Sequence, residues 1–121
     1  MTLRATLLLL LFTVLTGCVT TGDVNPMRTD KGRDAARDAY IQLGIGYLQQ
    51  GNTGRAKSPL KKALELDSSN ADAHAALALV FQLEMESELA DEHFRKALSA
   101  RGDDTRILHN YGGFLYEIGR A

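Results

Sequence analysis

Residues 36–70 read ARDAYIQLGIGYLQQGNTGRAKSPLKKALELDSSN, and their pattern decides the fold. Apolar residues recur at helical spacing on both sides of Gly51-Asn52, so the stretch predicts two helices joined by a turn. Tyr40, Leu43, Gly44, Tyr47, Ala56, Leu60 and Ala63 are its packing residues. Each has a counterpart 34 residues on: His74, Leu77, Ala78, Phe81, Ala90, Phe94 and Ala97. The first four recur once more as Leu108, Tyr111, Gly112 and Leu115. Bulky groups fall on like positions and small groups on like positions. Small residues let two helices approach, and bulky ones fill the layer between neighbouring hairpins.

A period of 34 with this alternation is the signature of the tetratricopeptide repeat. The predicted fold is all-α, a solenoid of antiparallel helix pairs, with repeat one at 36–70, repeat two at 71–104 and a partial third at 105–121. Five helices follow from the local signals. The first runs from Asp34 to Gln50 and stops at Gly51, which suits a left-handed cap. Asn52 or Thr53 caps the second, which ends near Leu66 and bends at Pro59. Ser69 or Asn70 caps the third (to Glu84), Ser87 the fourth (to Ala100), and Asp103 or Asp104 the fifth (to Ile118). About three repeats are needed before a solenoid buries its faces. Tyr111, Leu115 and Ile118 of the fifth helix are therefore expected to be exposed.

Composition narrows the function classes. The chain has 121 residues, 45% of them hydrophobic, and a formal net charge of −1. That fits one small domain and offers no basic stripe for nucleic acid. Basic residues Arg55, Lys57, Lys61 and Lys62 gather in repeat one, and acidic Glu84, Glu86, Glu88, Asp91 and Glu92 in repeat two. A single cysteine excludes an intrachain disulfide and a cysteine-based zinc cluster. His74, His93 and His109 lack the spacing of a zinc-protease helix, and His74 sits on a packing position. No glycine-rich loop follows a strand. The residues predict neither catalysis nor a cofactor nor a metal.

The first residues carry an address. Met1 to Arg4 is positively charged, Ala5 to Val14 is apolar, and the run is shorter than the roughly 20 residues a spanning helix needs. Leu15-Thr16-Gly17-Cys18 then resembles the bacterial lipobox. Residues 1–17 read as a lipoprotein signal peptide, and Cys18 as the lipidated first residue of the mature chain. Two or more acyl chains hold a protein stably on a bilayer. Residues 18–33 have no apolar period and read as a flexible tether. By analogy with lipoproteins of double-membraned bacteria, Val19 after the cysteine implies the periplasmic face of the outer membrane.

Counting offsets from the packing residues places a second set on the concave face. These are Asp38, Ile41, Ile45 and Leu48, then Asp72, Ala75, Leu79 and Gln82, then Arg106, His109, Gly113 and Tyr116. Some tetratricopeptide domains hold a peptide carboxylate with a polar clamp. Ile41, Ile45 and Ala76 stand where that clamp needs polar groups, and only Arg106 fits. An apolar groove suits an amphipathic helix or an extended segment with hydrophobic anchors.

The runs TDKGRDAARDAYIQLGIGYLQQGN, ADAHAALALVFQLEME and NYGGFLYE resemble the PilF/PilW type IV pilus biogenesis lipoproteins, and the likeness extends to LTGC. Asn110 to Glu117 is the most specific run. Family members continue with further repeats, so the chain resembles their N-terminal part. The resemblance implies a pilotin, which helps the pilus secretin reach and multimerise in the outer membrane. The alternative is a repeat lipoprotein of another envelope machine, serving outer-membrane protein insertion or peptidoglycan-hydrolase recruitment. An envelope enzyme with a helical scaffold finds no site among the residues.

Overall fold

The computed structural model describes Asn25 and residues 28–120. Five helices follow in order: α1 (Asp30–Gln49), α2 (Thr53–Leu66), α3 (Ala71–Leu83), α4 (Ser87–Ala100) and α5 (Thr105–Gly119). The described residues contain no strand. The all-α repeat architecture expected from the 34-residue period is the one the chain adopts. The stretch read as signal peptide, the residues read as lipobox (Leu15, Thr16, Gly17) and Cys18 lie outside the described residues.

Side-chain caps explain most of the helix starts. Asn52 Oδ1 accepts from the Arg55 amide at 3.1 Å, and Asn70 Oδ1 from the Ala73 amide at 3.0 Å. Asp104 Oδ1 accepts from Arg106 N–H at 3.0 Å and Ile107 N–H at 3.4 Å. Each supplies an acceptor to an amide with no intrahelical partner. Two starts differ from expectation. α1 begins at Asp30, inside the stretch read as tether, because Thr29 Oγ1 accepts from Gly32 N–H at 3.0 Å and anchors an earlier turn. α4 is preceded by Glu86, which makes no side-chain cap bond, and Ser87 is the first helical residue. The repeat register decides this, since Glu86 lies 34 residues after Asn52. α2 runs unbroken through the buried Pro59.

Two tight hairpins stack through one interior. The closest approach is at Gly44, where a Cβ would stand 2.4 Å from Leu60 Cγ and 2.6 Å from Leu60 Cδ2. Leu60 fills the space a side chain would need, so glycine is required for α1 and α2 to meet. In repeat two Ala78 takes that place and Phe94 the place of Leu60; both are fully buried. Leu60, Leu77, Val80, Phe81, Phe94 and Phe114 belong to one core cluster, with Ala56, Ala76, Ala78 and Ala90 as its small members. A buried Leu or Phe contributes about 1.5–3 kcal/mol through the surface removed from water.

The third repeat departs from the pattern. α5 buries Ile107 and Phe114, not the Leu108, Tyr111, Gly112 and Leu115 that the period nominates. Leu108 and Leu115 are exposed, and a Cβ on Gly112 would meet nothing within 4 Å. Tyr111 is half-buried, contrary to the expected exposure. Its ring stacks on Phe94 with centroids 5.2 Å apart, and its hydroxyl donates to Asp91 Oδ1 at 2.6 Å. Leu115 and Ile118 stand 43% and 42% exposed, as expected of an uncovered face. Among the described residues α5 meets repeat two on one side and no paired helix on the other.

Candidate concave groove

The inner faces of α1, α3 and α5 enclose an open cleft of about 330 Å³. α1 contributes Ile45, Leu48 and Gln49; α3 contributes Asp72, Ala75, Ala76 and Leu79; α5 contributes Arg106, Ile107 and Asn110. Within each helix these residues are spaced three or four apart, which places them on one face. The floor is aliphatic. Gln49 and Asn110 add amide donors and acceptors.

The structure brings Ile45, Leu48, Leu79 and Arg106 together with Asp72 and Ala75, and separates the rest of the expected set. Ile41 is buried against Ala63 and Ala73, sealing the joint between repeats one and two. Gln82 turns toward α5, where its Nε2 donates to Glu117 Oε2 at 2.7 Å. Tyr116 is exposed; its hydroxyl accepts from Arg120 at 3.1 Å, and that guanidinium lies 5.3 Å from the ring centroid. His109 and Gly113 are exposed, and Asp38 pairs with Arg37 at 2.8 Å; none of the three lines the cleft. Gln49, Ala76, Ile107 and Asn110 complete it instead. Gln49, Ala76 and Asn110 lie four residues after Ile45, Asp72 and Arg106, so extending each helix face by one turn finds them.

One end of the cleft is ionic. Asp72 Oδ2 accepts from Arg101 at 2.6 Å, and its Oδ1 from Arg106 at 3.2 Å. Asp104 Oδ2 accepts from Arg101 at 3.2 Å and from Arg106 at 3.1 Å. The Arg106 hydrogen bond is the main reason the Asp104 carboxyl is held below its usual range. Hydrogen bonding to Asp104, and then to Asp72, raises the Arg106 guanidinium further. Arg106 is thus engaged by two carboxylates, and an incoming carboxylate must displace one of them. The cleft suits apolar side chains entering from solvent better than a free chain terminus.

A second polar cluster lies elsewhere. His74 and His93 face each other with Nδ1 atoms 3.0 Å apart, and His74 Nε2 is 2.9 Å from the Ser68 carbonyl oxygen. The carbonyl only accepts, so His74 Nε2–H donates to it, and the two Nδ1 atoms share one further hydrogen bond. Burial, then the neighbouring His74 and Lys96, push His93 down to about 4. His74 is buried at its repeat packing position, and both rings tie α3 to α4. Among the described residues no group of three or more His, Cys, Asp or Glu side chains is placed to hold a metal ion.

Comparison with known proteins places these features. No family model matches the chain. It is 69% identical over 117 residues to the type IV pilus assembly protein PilF of Pseudomonas aeruginosa, covering 97% of this chain and 46% of that protein. It is 30% identical over 92 residues to an uncharacterised protein of Haemophilus influenzae, covering 76% of this chain and 51% of that protein. The chain therefore spans about half the length of the curated relatives it matches. A solved structure from a functional characterisation of Pseudomonas aeruginosa PilF superposes with a TM-score of 0.72 at 70% identity, over 74% of this chain and 40% of that one. With five helices in a 34-residue register and this identity along nearly its whole length, the chain belongs to the PilF family of helical-repeat proteins.

Proposed function

We propose that this chain acts in type IV pilus biogenesis as a lipid-anchored adaptor, a pilotin, on the periplasmic face of the outer membrane. The observation that carries the reading is 69% identity to a type IV pilus assembly protein over 97% of the chain. Acylation at Cys18 holds the protein to the membrane, and residues 19–28 hold the repeats off it. The groove built on Ile45, Leu48 and Leu79 takes an amphipathic helix or an extended segment with apolar anchors, contributed by the pilus secretin. Binding in this way removes the aliphatic floor from water, while Gln49 and Asn110 select the partner's polar groups.

The test is complementation. In a strain lacking its own copy, the chain should restore secretin multimers and twitching motility. Cys18→Ala should abolish incorporation of radiolabelled lipid and release the protein from membrane fractions. Leu79→Glu places a charge in the aliphatic floor and should weaken secretin capture by about tenfold or more, roughly 1.4 kcal/mol. Its helix content and melting should stay near those of the parent. Full secretin assembly by Leu79→Glu and Ile45→Glu together would refute the groove. Membrane retention of Cys18→Ala would refute the anchor.

A further inference from the structure

The two complete repeats turn between their helices in the same way but with different residues. Gly51 has φ +72° and Met85, 34 residues later, has φ +60°. Both turns close with the same hydrogen bond: Asn52 N–H donates to Tyr47 O at 2.9 Å, and Glu86 N–H donates to Phe81 O at 2.8 Å. The same place in the third repeat is Gly119. Glycine reaches this left-handed conformation freely, whereas a Cβ crowds the following carbonyl. Met85 therefore strains the backbone where repeat one uses glycine; Gly119 is the last residue of α5 and its φ is not positive. Its side chain offers no compensation, since it is 89% exposed, the most exposed large apolar side chain among the described residues. A strained residue that buries nothing is a candidate for contacts outside this fold.

The surroundings specify those contacts. Met85 borders a small cleft of about 180 Å³ shared with Phe114, Glu117 and Ile118 of α5, and Ile118 is itself exposed. The turn is acidic. Glu86 and Glu88 are exposed and make no ion pair among the described residues, and Glu117 lines the cleft. Thioethers adapt to irregular sockets without a fixed rotamer. The geometry points to a docking tip at the α3–α4 turn: Met85 enters an apolar socket of a protein partner whose rim carries lysine or arginine. The tip shares no residue with the concave groove, so it stands or falls independently of the proposed function.

The probe is a synthetic amphipathic helical peptide with a leucine face flanked by lysines, its control the same peptide flanked by glutamates. The full chain labelled with methyl-¹³C methionine reports on Met85. The lysine peptide should shift the Met85 methyl signal and the glutamate peptide should not. Raising salt should weaken the binding, because the rim charges are exposed. Met85→Gly and Met85→Asn should each bind about tenfold more weakly, yet melt several degrees higher, since the strain is relieved. In Leu79→Glu the shift of the Met85 methyl should be unchanged. Five results would overturn the inference: variants that melt no higher, equal shifts of the Met85 methyl by the two peptides, a Met85 methyl that neither peptide moves, a Met85 shift that is lost in Leu79→Glu, or a dimer that requires Met85. The last would assign the tip to a second copy of the chain.

Discussion

α1 and α5 carry the same periodic residues and use different members of the set: α1 buries Gly44 and leaves Leu43 exposed, whereas α5 packs Tyr111 on Phe94 and leaves Leu108, Gly112 and Leu115 open. Tyr40, Gly44 and Tyr47 of α1 correspond to Leu108, Gly112 and Leu115 of α5. Gly44 lies so close to Leu60 that no Cβ fits, whereas Gly112 faces open space. The difference teaches that a repeat position is a position toward a partner. α2 supplies that partner for α1, and among the described residues no helix supplies it for α5. What α5 buries is Ile107 and Phe114, with Tyr111 packed beside them, against repeat two.

Substitutions at paired places should separate the two regions. The largest contrast is expected between Phe94 and Leu115. Phe94 is fully buried in the shared core, so Phe94→Ala should cost about 3–5 kcal/mol in urea unfolding. Leu115→Ala should stay within about 0.5 kcal/mol of the parent, as for other exposed positions. A large loss for Leu115→Ala would mean that its face is covered in solution.

The glycines give the next contrast, and here the signs should differ. Gly44→Ala forces a methyl into Leu60 and the Ala56 carbonyl and should cost about 1–3 kcal/mol. Gly112→Ala meets no neighbour and should stabilise the chain by about 0.5–1 kcal/mol, the gain in helix propensity. Two changes of the same sign in thermal melts would erase the distinction between the faces.

Acid should loosen the repeat-two hairpin. His93 is held near 4 in the folded chain against an ordinary 6.5, so the folded state refuses a proton that the unfolded state takes. The His93 contribution is complete above about pH 6.5 and is lost as pH falls toward 4. Because His93 is only half-buried, screening reduces the full shift to about 1–2 kcal/mol. Lys61, Glu92 and Lys96 surround His93 with His74, and their charges enter the same titration. A His93→Asn variant should flatten the pH dependence of the melting temperature over that window. An unchanged slope would place the proton elsewhere.

The smallest effect concerns the caps. Asn52 bonds the Arg55 amide, while Glu86, its counterpart, makes no side-chain cap bond. Asn52→Ala should cost about 1 kcal/mol and Glu86→Asn should gain several tenths or more, read from melting temperatures.

Much of this was legible from local signals. Gly51 and the caps act within a few residues of themselves, so chain order narrowed each cap to two neighbours, and the structure selects Asn52, Asn70 and Asp104. Six of the twelve positions expected on the concave face, Ile45, Leu48, Asp72, Ala75, Leu79 and Arg106, followed from the offset within each repeat. The misses share a cause. Ile41 and Gln82 lie on the right helices but turn toward α2, α3 or α5, depending on which neighbour is closest. Ile107 and Phe114 replaced the periodic set because α5 has one neighbouring side instead of two. The ionic end of the groove joins Asp72 to Arg101 and Arg106, at 29 and 34 residues' separation, and no local pattern announces it.

Spacing alone determined that this chain is a run of helical hairpins with small residues where helices meet, because helical periodicity and capping are short-range. Tertiary structure alone decided which of those faces is closed, which side chains reach the groove, and that Met85 stands strained and exposed at a turn. Burial depends on the presence of an opposing surface, and an opposing surface is a property of the assembled fold.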